Sequence, residues 1–298
     1  MEATQPLERT EGGRRIGRIS RRYQDFFRQL RRSKGAMIGL VLLLFLTVVA
    51  LSAPLIAPYD PIELNSQDYL QSPRTEHLFG TDQYGRDVFS RVVFGTRISL
   101  VIGLISVGIA LVIGVLVGLV AGYYGGLLDS TLMRIIDVML AFPGILLALA
   151  IVSILGPSLV NLMIAVGISS IPTYARLTRG SVLSTRGELY VEAARVIGVP
   201  NRLILGRHIL PNVVAPVIVT ATLGVGAAIL WAAALSFLGL GSQPPDPEWG
   251  RMLSEGRQYL RSQWWIATFP GLAIMVTVLA MNMLGDGLRD ALDPRLRT

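Results

Sequence analysis

Charge is absent from five long apolar stretches of this chain: 35–59, 98–128, 138–175, 209–245 and 262–285. An α-helix needs about 20 apolar residues to cross a hydrocarbon core of roughly 30 Å. Every stretch is long enough, and the stretch 138–175 is too long for one ordinary span. Pro157, inside Leu-Gly-Pro-Ser, reads as a tight turn dividing it in two. Pro211-Asn212 and Gly241-Ser-Gln-Pro-Pro245 read as ends, so 209–245 is taken as one span rather than two short ones. The pattern predicts six helices, over 36–57, 98–122, 134–155, 158–176, 213–240 and 263–285.

Basic residues orient these spans, because Lys and Arg favour cytoplasmic loops. Six spans with both ends inside put 20 of the 27 Lys and Arg in cytoplasmic segments and 7 in outer loops. Five spans would divide them 14 to 13. The expectation is an all-α membrane protein, multi-pass, with both termini cytoplasmic. Residues 1–34 form a basic segment, 35–97 the first span and its outer loop, 98–286 a five-helix domain with a cytoplasmic loop at 177–211, and 287–298 a tail. Within the first segment Ile16, Ile19, Tyr23, Phe26, Phe27 and Leu30 fall at helical spacing, with arginines mostly elsewhere around the helix. That suits a retained helix lying on the membrane surface, with a solvated basic tail as the alternative.

Composition removes several chemistries. Cys is absent, so disulfides and thiolate sites are excluded. His77 and His208 are far apart in sequence, and Lys34 stands outside any phosphate-loop motif. The expectation is a chain with no catalytic residue, no metal site and no cofactor of its own; any ATP and Mg would be bound by partners. No ionisable residue sits centrally in a predicted span. Asp137 and Arg134 lie at the start of the third, placed to pair across one turn. Intramembrane charges cost about 2.5–3.5 kcal/mol on insertion scales and mark coupled carriers, so their scarcity argues against a self-powered carrier. Mild polar groups remain. Asn161, Ser169, Thr220 and Ser236 are candidate pathway positions, with bonding between helices as the plainer role.

The loop from Gly187 to Asn212 carries the most information. Glu188–Ile197 is a good helix former with an acidic start. Gly198 suits the left-handed position after a helix, Pro200 follows, and Asn201 is placed to cap a second short helix through about His208. Ala193 and Ala194 offer a close-contact surface beside Glu192, on which a partner protein can dock. An inert connection is the bland alternative, and a DNA-binding helix–turn–helix is awkward beside a bilayer.

Glu192-Ala193-Ala194, three residues, Gly198 and then Ile209-Leu210-Pro211 resemble the coupling motif of permease subunits in bacterial ABC importers. His208 before Ile-Leu-Pro is similar to the peptide-importer branch. Leu78-Phe-Gly80-Thr-Asp82-Gln-Tyr-Gly85-Arg86-Asp87-Val88 resembles that branch before its second span. Ser236-Phe-Leu-Gly-Leu-Gly241 with Trp249-Gly-Arg-Met-Leu253 resembles its signature after the fifth. The resemblance runs from about residue 25 to the end. It implies a type I importer permease of the dipeptide, oligopeptide and nickel class, half of a pathway for peptides or a related small solute. It also implies a related permease, two cytoplasmic ATPases and an extracytoplasmic binding protein as partners, with Glu192, Ala193, Ala194, Gly198, Ile209, Leu210 and Pro211 as ATPase-coupling residues. Trp249, Trp264 and Trp265 would be placed to receive the binding protein, or to anchor at headgroups. The rivals are a solitary carrier or channel, which would work without an ATPase, and a membrane scaffold, in which changing Glu192 leaves uptake unaffected.

Overall fold

The computed structural model describes residues 28–292, and helices dominate them. The surface helix expected around Ile16–Phe27 lies outside the described residues. Helix α1 spans Lys34–Leu51, begun by Ser33, whose hydroxyl accepts from the Ala36 amide. After an extended segment comes α2, Val88–Tyr124, capped by Asp87, which accepts from the Ser90 amide at 2.7 Å. Then follow α3 (Gly126–Leu140), α4 (Gly144–Leu155) and α5 (Leu159–Arg186). The chain continues through α6 (Leu189–Val196), α7 (Leu210–Phe237), α8 (Trp249–Gly256) and α9 (Trp265–Leu292).

Helices α1, α2, α9 and the continuous helical stretch Asn201–Phe237 are long and apolar enough to cross a membrane, and α3 with α4 makes a fifth candidate if the bent pair is one span. Helix α5 has the length, 28 residues, but Pro172 and three arginines near its end make it less apolar. In order, the predicted helices correspond to α1, α2, α3–α4, α5, α7 and α9.

Two differences from the sequence expectation are physical. The helix expected over 134–155 is broken, with α3 and α4 meeting at 88°. Pro143 lacks an amide hydrogen and biases Phe142 away from helical geometry, so the break falls there. Asp137 consequently pairs not with Arg134 but with Arg176 of α5, at 2.6 Å. Second, helices run past the charges taken as their ends. Helix α2 starts ten residues before 98 because Arg91 is buried at 1% exposure and paired rather than solvated. Residues 177–186 continue α5, and 201–209 lead without a break into α7.

The turn at Pro157 forms as expected. Gly156 adopts φ +89°, Ser158 accepts from the Asn161 amide, and the Asn161 side chain donates to the Leu155 and Gly156 carbonyls at 2.9 and 3.0 Å.

Packing rests on small residues. Gly114, Gly118 and Gly122, one turn apart on α2, lie against α5; a methyl group at Gly118 would stand 2.5 Å from the Ala175 carbonyl oxygen. Lipid tails drive helices together poorly, so close backbone approach has to supply the dispersion energy. The same device joins α1 to α9, where Gly39 faces Ala280 and Gly287 faces Ala36.

Candidate functional site: the α6 turn at one end of the bundle

Helix α6 is amphipathic in an unusual sense: one apolar face is buried and another is bare. Val191 and Ala194 are buried with Tyr123, Val182, Ile204, Ile209 and Val213 in a satellite core below the bundle. Leu189, Val196 and Ile197 are 82%, 86% and 78% exposed, and Ala193 lies exposed between them in sequence. Leu189, Ala193, Val196 and Ile197 share one side by helical spacing. Glu192 is exposed beside them.

Gly198 closes α6 at φ +79°. Its amide donates to the Arg195 carbonyl and the Val199 amide to the Ala194 carbonyl, both at 3.0 Å. This is the paired closure that a left-handed glycine permits. The next residues differ from expectation. Asn201 does not cap; Pro200 precedes the helix, and Asn201 Oδ1 accepts from the Tyr123 hydroxyl at 2.7 Å. Residues Ile204–Ile209 then form a wider π turn that flows into α7. Pro211 has no amide hydrogen for the Arg207 carbonyl, and a π turn relieves the clash of its ring with that carbonyl. The Asn212 amide donates to the His208 carbonyl at 2.7 Å and to the Tyr190 hydroxyl at 3.1 Å, tying α7 to α6. Arg186 donates to the Gly122 and Tyr123 carbonyls, and Arg195 sits 5.1 Å over the Tyr123 ring. The sequence motif is thus brought together. Glu192 and Ala193 face out, Ala194 and Ile209 face in, Gly198 turns the chain, and Leu210 and Pro211 open α7.

The opposite end is a buried ion network. Arg86 donates to Asp82 at 2.7 Å and to Glu255 at 2.8 Å, Arg91 lies 3.6 Å from each of those acids, and Arg251 reaches Glu255 at 3.1 Å. His77 is held between Asp87 at 3.0 Å and Asp68 at 3.5 Å. Gly80 and Gly85 take φ +72°, which accounts for the glycines in this motif. Glu248 caps α8, accepting from the Gly250 and Arg251 amides at 2.8 Å, and its burial pushes its carboxyl up from the usual range. The tryptophans expected to meet a partner are mostly internal. Trp249 is fully buried and donates to the Val92 carbonyl, Trp265 is buried and donates to the Thr81 carbonyl, and Trp264 alone of the three is half exposed.

The four polar pathway candidates do not converge. Asn161 clamps the turn between α4 and α5, buried Ser169 donates to the Val166 carbonyl, and Thr220 donates to that of Pro216. Ser236 is buried sixteen residues further along α7, about 24 Å away along the axis. Sequence reading missed the pairing of Glu255 with Arg86, which 169 residues separate, and the α2–α5 seam. The seam had a signal, three glycines at intervals of four.

Helices packed through small residues, with the α6 turn tied by side-chain contacts to α2 and α7, define an all-helical bundle of membrane-crossing type. The comparisons name the family. Residues 114–298 match the binding-protein-dependent transport system inner membrane component, and residues 22–73 the N-terminal TM domain of oligopeptide transport permease C. The chain belongs to the binding-protein-dependent transport system inner membrane component family. It is 51% identical to the dipeptide transport system permease protein DppC of Alkalihalophilus pseudofirmus, over 93% of this chain and 91% of that one. It is 48% identical to the di/tripeptide transport system permease protein DppC of Pseudomonas aeruginosa, over 92% of each. Identity to the glutathione transport system permease protein GsiD of Escherichia coli is 50%, over 92% and 91%. Among solved structures, one of inward-facing conformations of the MetNI methionine ABC transporter aligns with a TM-score of 0.52 at 19% identity, covering 68% of this chain and 96% of that one. That likeness is one of fold.

Proposed function

We propose that this chain forms half of the translocation path of an ATP-driven importer for short peptides or a related small solute. A related permease supplies the other half, an extracytoplasmic binding protein delivers the solute, and two ATPases bind ATP and Mg at the end bearing α6. That end is cytoplasmic, as are both termini. One observation carries the reading: α6 presents a bare apolar row beside Glu192 while its other face is fixed into the bundle. The contact of Arg195 with the Tyr123 ring and the bond from Asn212 to Tyr190 let displacement of α6 reach α2 and α7. Relatives at 48–51% identity named for dipeptide, di/tripeptide and glutathione transport support the solute class. A bistable bundle whose equilibrium the ATPases bias would open alternately to each side.

The test is co-expression with the genomic neighbours, reconstitution in lipid nanodiscs, and ATP hydrolysis with and without a binding protein loaded with mixed peptides. Stimulation that Glu192→Arg abolishes is the expected result. Assembly without peptide stimulation removes the solute assignment, and failure to recruit any ATPase removes the whole reading.

A further inference from the structure

Exposed faces differ sharply among the helices. On α1 the exposed large side chains beyond Lys34 are Ile38, Val41, Leu44, Phe45, Val48 and Leu51, with Thr47 as the one polar position among them, a surface suited to lipid tails. On the second half of α5 the exposed positions are Thr173, Arg176, Gly180 and Ser184, which recur at helical spacing and include no large apolar side chain. Arg176 and Asp137 of α3 are joined across this face, with side chains 55% and 52% exposed. A charged pair on a membrane-crossing helix faces water or protein, not hydrocarbon. The backbone break between α3 and α4 lies close by in sequence, with Ala141, Phe142 and Pro143 exposed.

The ion pair is also incompletely used. Arg179 grips Asp129 through two hydrogen bonds, at 2.6 and 2.7 Å, which engage both carboxylate oxygens. Arg176 and Asp137 share a single bond, from Nη2 to Oδ1. Among the described residues this leaves Asp137 Oδ2 free to accept and Arg176 Nε and Nη1 free to donate.

We propose that the Thr173–Ser184 stripe of α5 lines a water-filled path and that Asp137 and Arg176 together contact a zwitterionic solute passing along it. The carboxylate meets the ammonium of the solute and the guanidinium meets its carboxylate, exchanging one internal ion pair for two. Because both charges belong to this chain, a solute with one of its ends capped loses half of the contact. This inference rests on the proposed import function and adds the chemistry of the solute and the residues that meet it.

The chain has no Cys, so single-cysteine reporters are clean within this subunit. The assembled transporter carrying Thr173→Cys or Gly180→Cys, where an added side chain meets nothing within 4 Å, is exposed to an aqueous methanethiosulfonate reagent. Leu44→Cys on α1 is the lipid-facing control. Labelling of the two α5 positions, but not of Leu44→Cys, is expected, with a several-fold change in rate when the ATPases are trapped with nucleotide. Labelling only by a lipid-soluble maleimide, or at a rate indifferent to nucleotide, overturns the path placement. In parallel, uptake of dialanine is measured in Asp137→Asn and Arg176→Gln, with a several-fold loss expected in both. Unchanged uptake overturns the contact. If the unsubstituted transporter takes up no dialanine yet labelling responds to nucleotide, the path stands and the peptide reading with its zwitterion contact falls. If it takes up dialanine and labelling is excluded, the inference alone falls.

Discussion

Arg86 and Glu255 meet at 2.8 Å across 169 residues of chain, and their side chains are 2% and 11% exposed. The pair fastens the segment between α1 and α2 to α8. Breaking a buried pair by removing one partner costs about 3–5 kcal/mol, because the survivor stays desolvated. Arg86→Met is therefore expected to lower the thermal midpoint of the detergent-solubilised subunit markedly. A midpoint within a degree of the unsubstituted protein would show that this end is held by other contacts.

At the α2–α5 seam the expected effect is steric. A side chain at Gly118 would meet the Ala175 carbonyl oxygen at 2.5 Å and Thr178 Cβ at 2.6 Å, and both are held by helix backbone. Gly118→Val should cost at least the roughly 1–3 kcal/mol typical of overpacking. Gly180→Ala, on the open face of α5, should be neutral. Comparing the two by thermal unfolding separates packing from any general effect of replacing glycine.

Tyr123→Phe removes the hydroxyl that donates to Asn201 while keeping the ring under Arg195. The stability loss should be small, about 1 kcal/mol. Peptide-stimulated hydrolysis should fall much more than stability if the bond transmits motion between α2 and the segment that follows the Gly198 turn. Equal, small losses in both would assign the bond to packing alone.

Leu189→Ser and Ile197→Ser exchange exposed apolar side chains for polar ones. Neither should destabilise the isolated subunit, since neither side chain is buried. Both should reduce ATPase co-purification, whereas Val191→Ser, a change inside the satellite core, should destabilise the fold first.

Glu248 gives a pH dependence with a definite sign. Burial raises its carboxyl above the ordinary value of 4.5, so the folded protein holds the proton more tightly than the unfolded chain. Stability from this group is present below pH 4.5 and is lost as pH rises to the folded-state value. Thermal unfolding from pH 4 upward should show this fall, and Glu248→Gln, which cannot ionise, should flatten it. A parallel slope in the variant would assign the dependence to other groups.

How much of this was legible beforehand follows from the range of the forces involved. Apolar runs long enough for a bilayer, the turn at Pro157 and the left-handed Gly198 are local facts, determined by composition and backbone sterics within a few residues. So were the helix and turn around Glu192, because both lie in one continuous segment. What the tertiary structure alone decided depends on partners far apart in sequence. Arg91 belonged to the loop ahead of a span begun at 98 until its acids were seen to bury it, and Asp137 could be assigned to Arg134 until the break at Pro143 placed α3 beside Arg176. Asn201 had the right identity for a cap and was drawn instead to Tyr123. Local propensity is worth about 1 kcal/mol at such positions, and a well-placed tertiary hydrogen bond or buried ion pair equals or exceeds it. Helix positions are therefore written along the chain, while the direction each polar side chain faces is decided by what the folded bundle brings beside it.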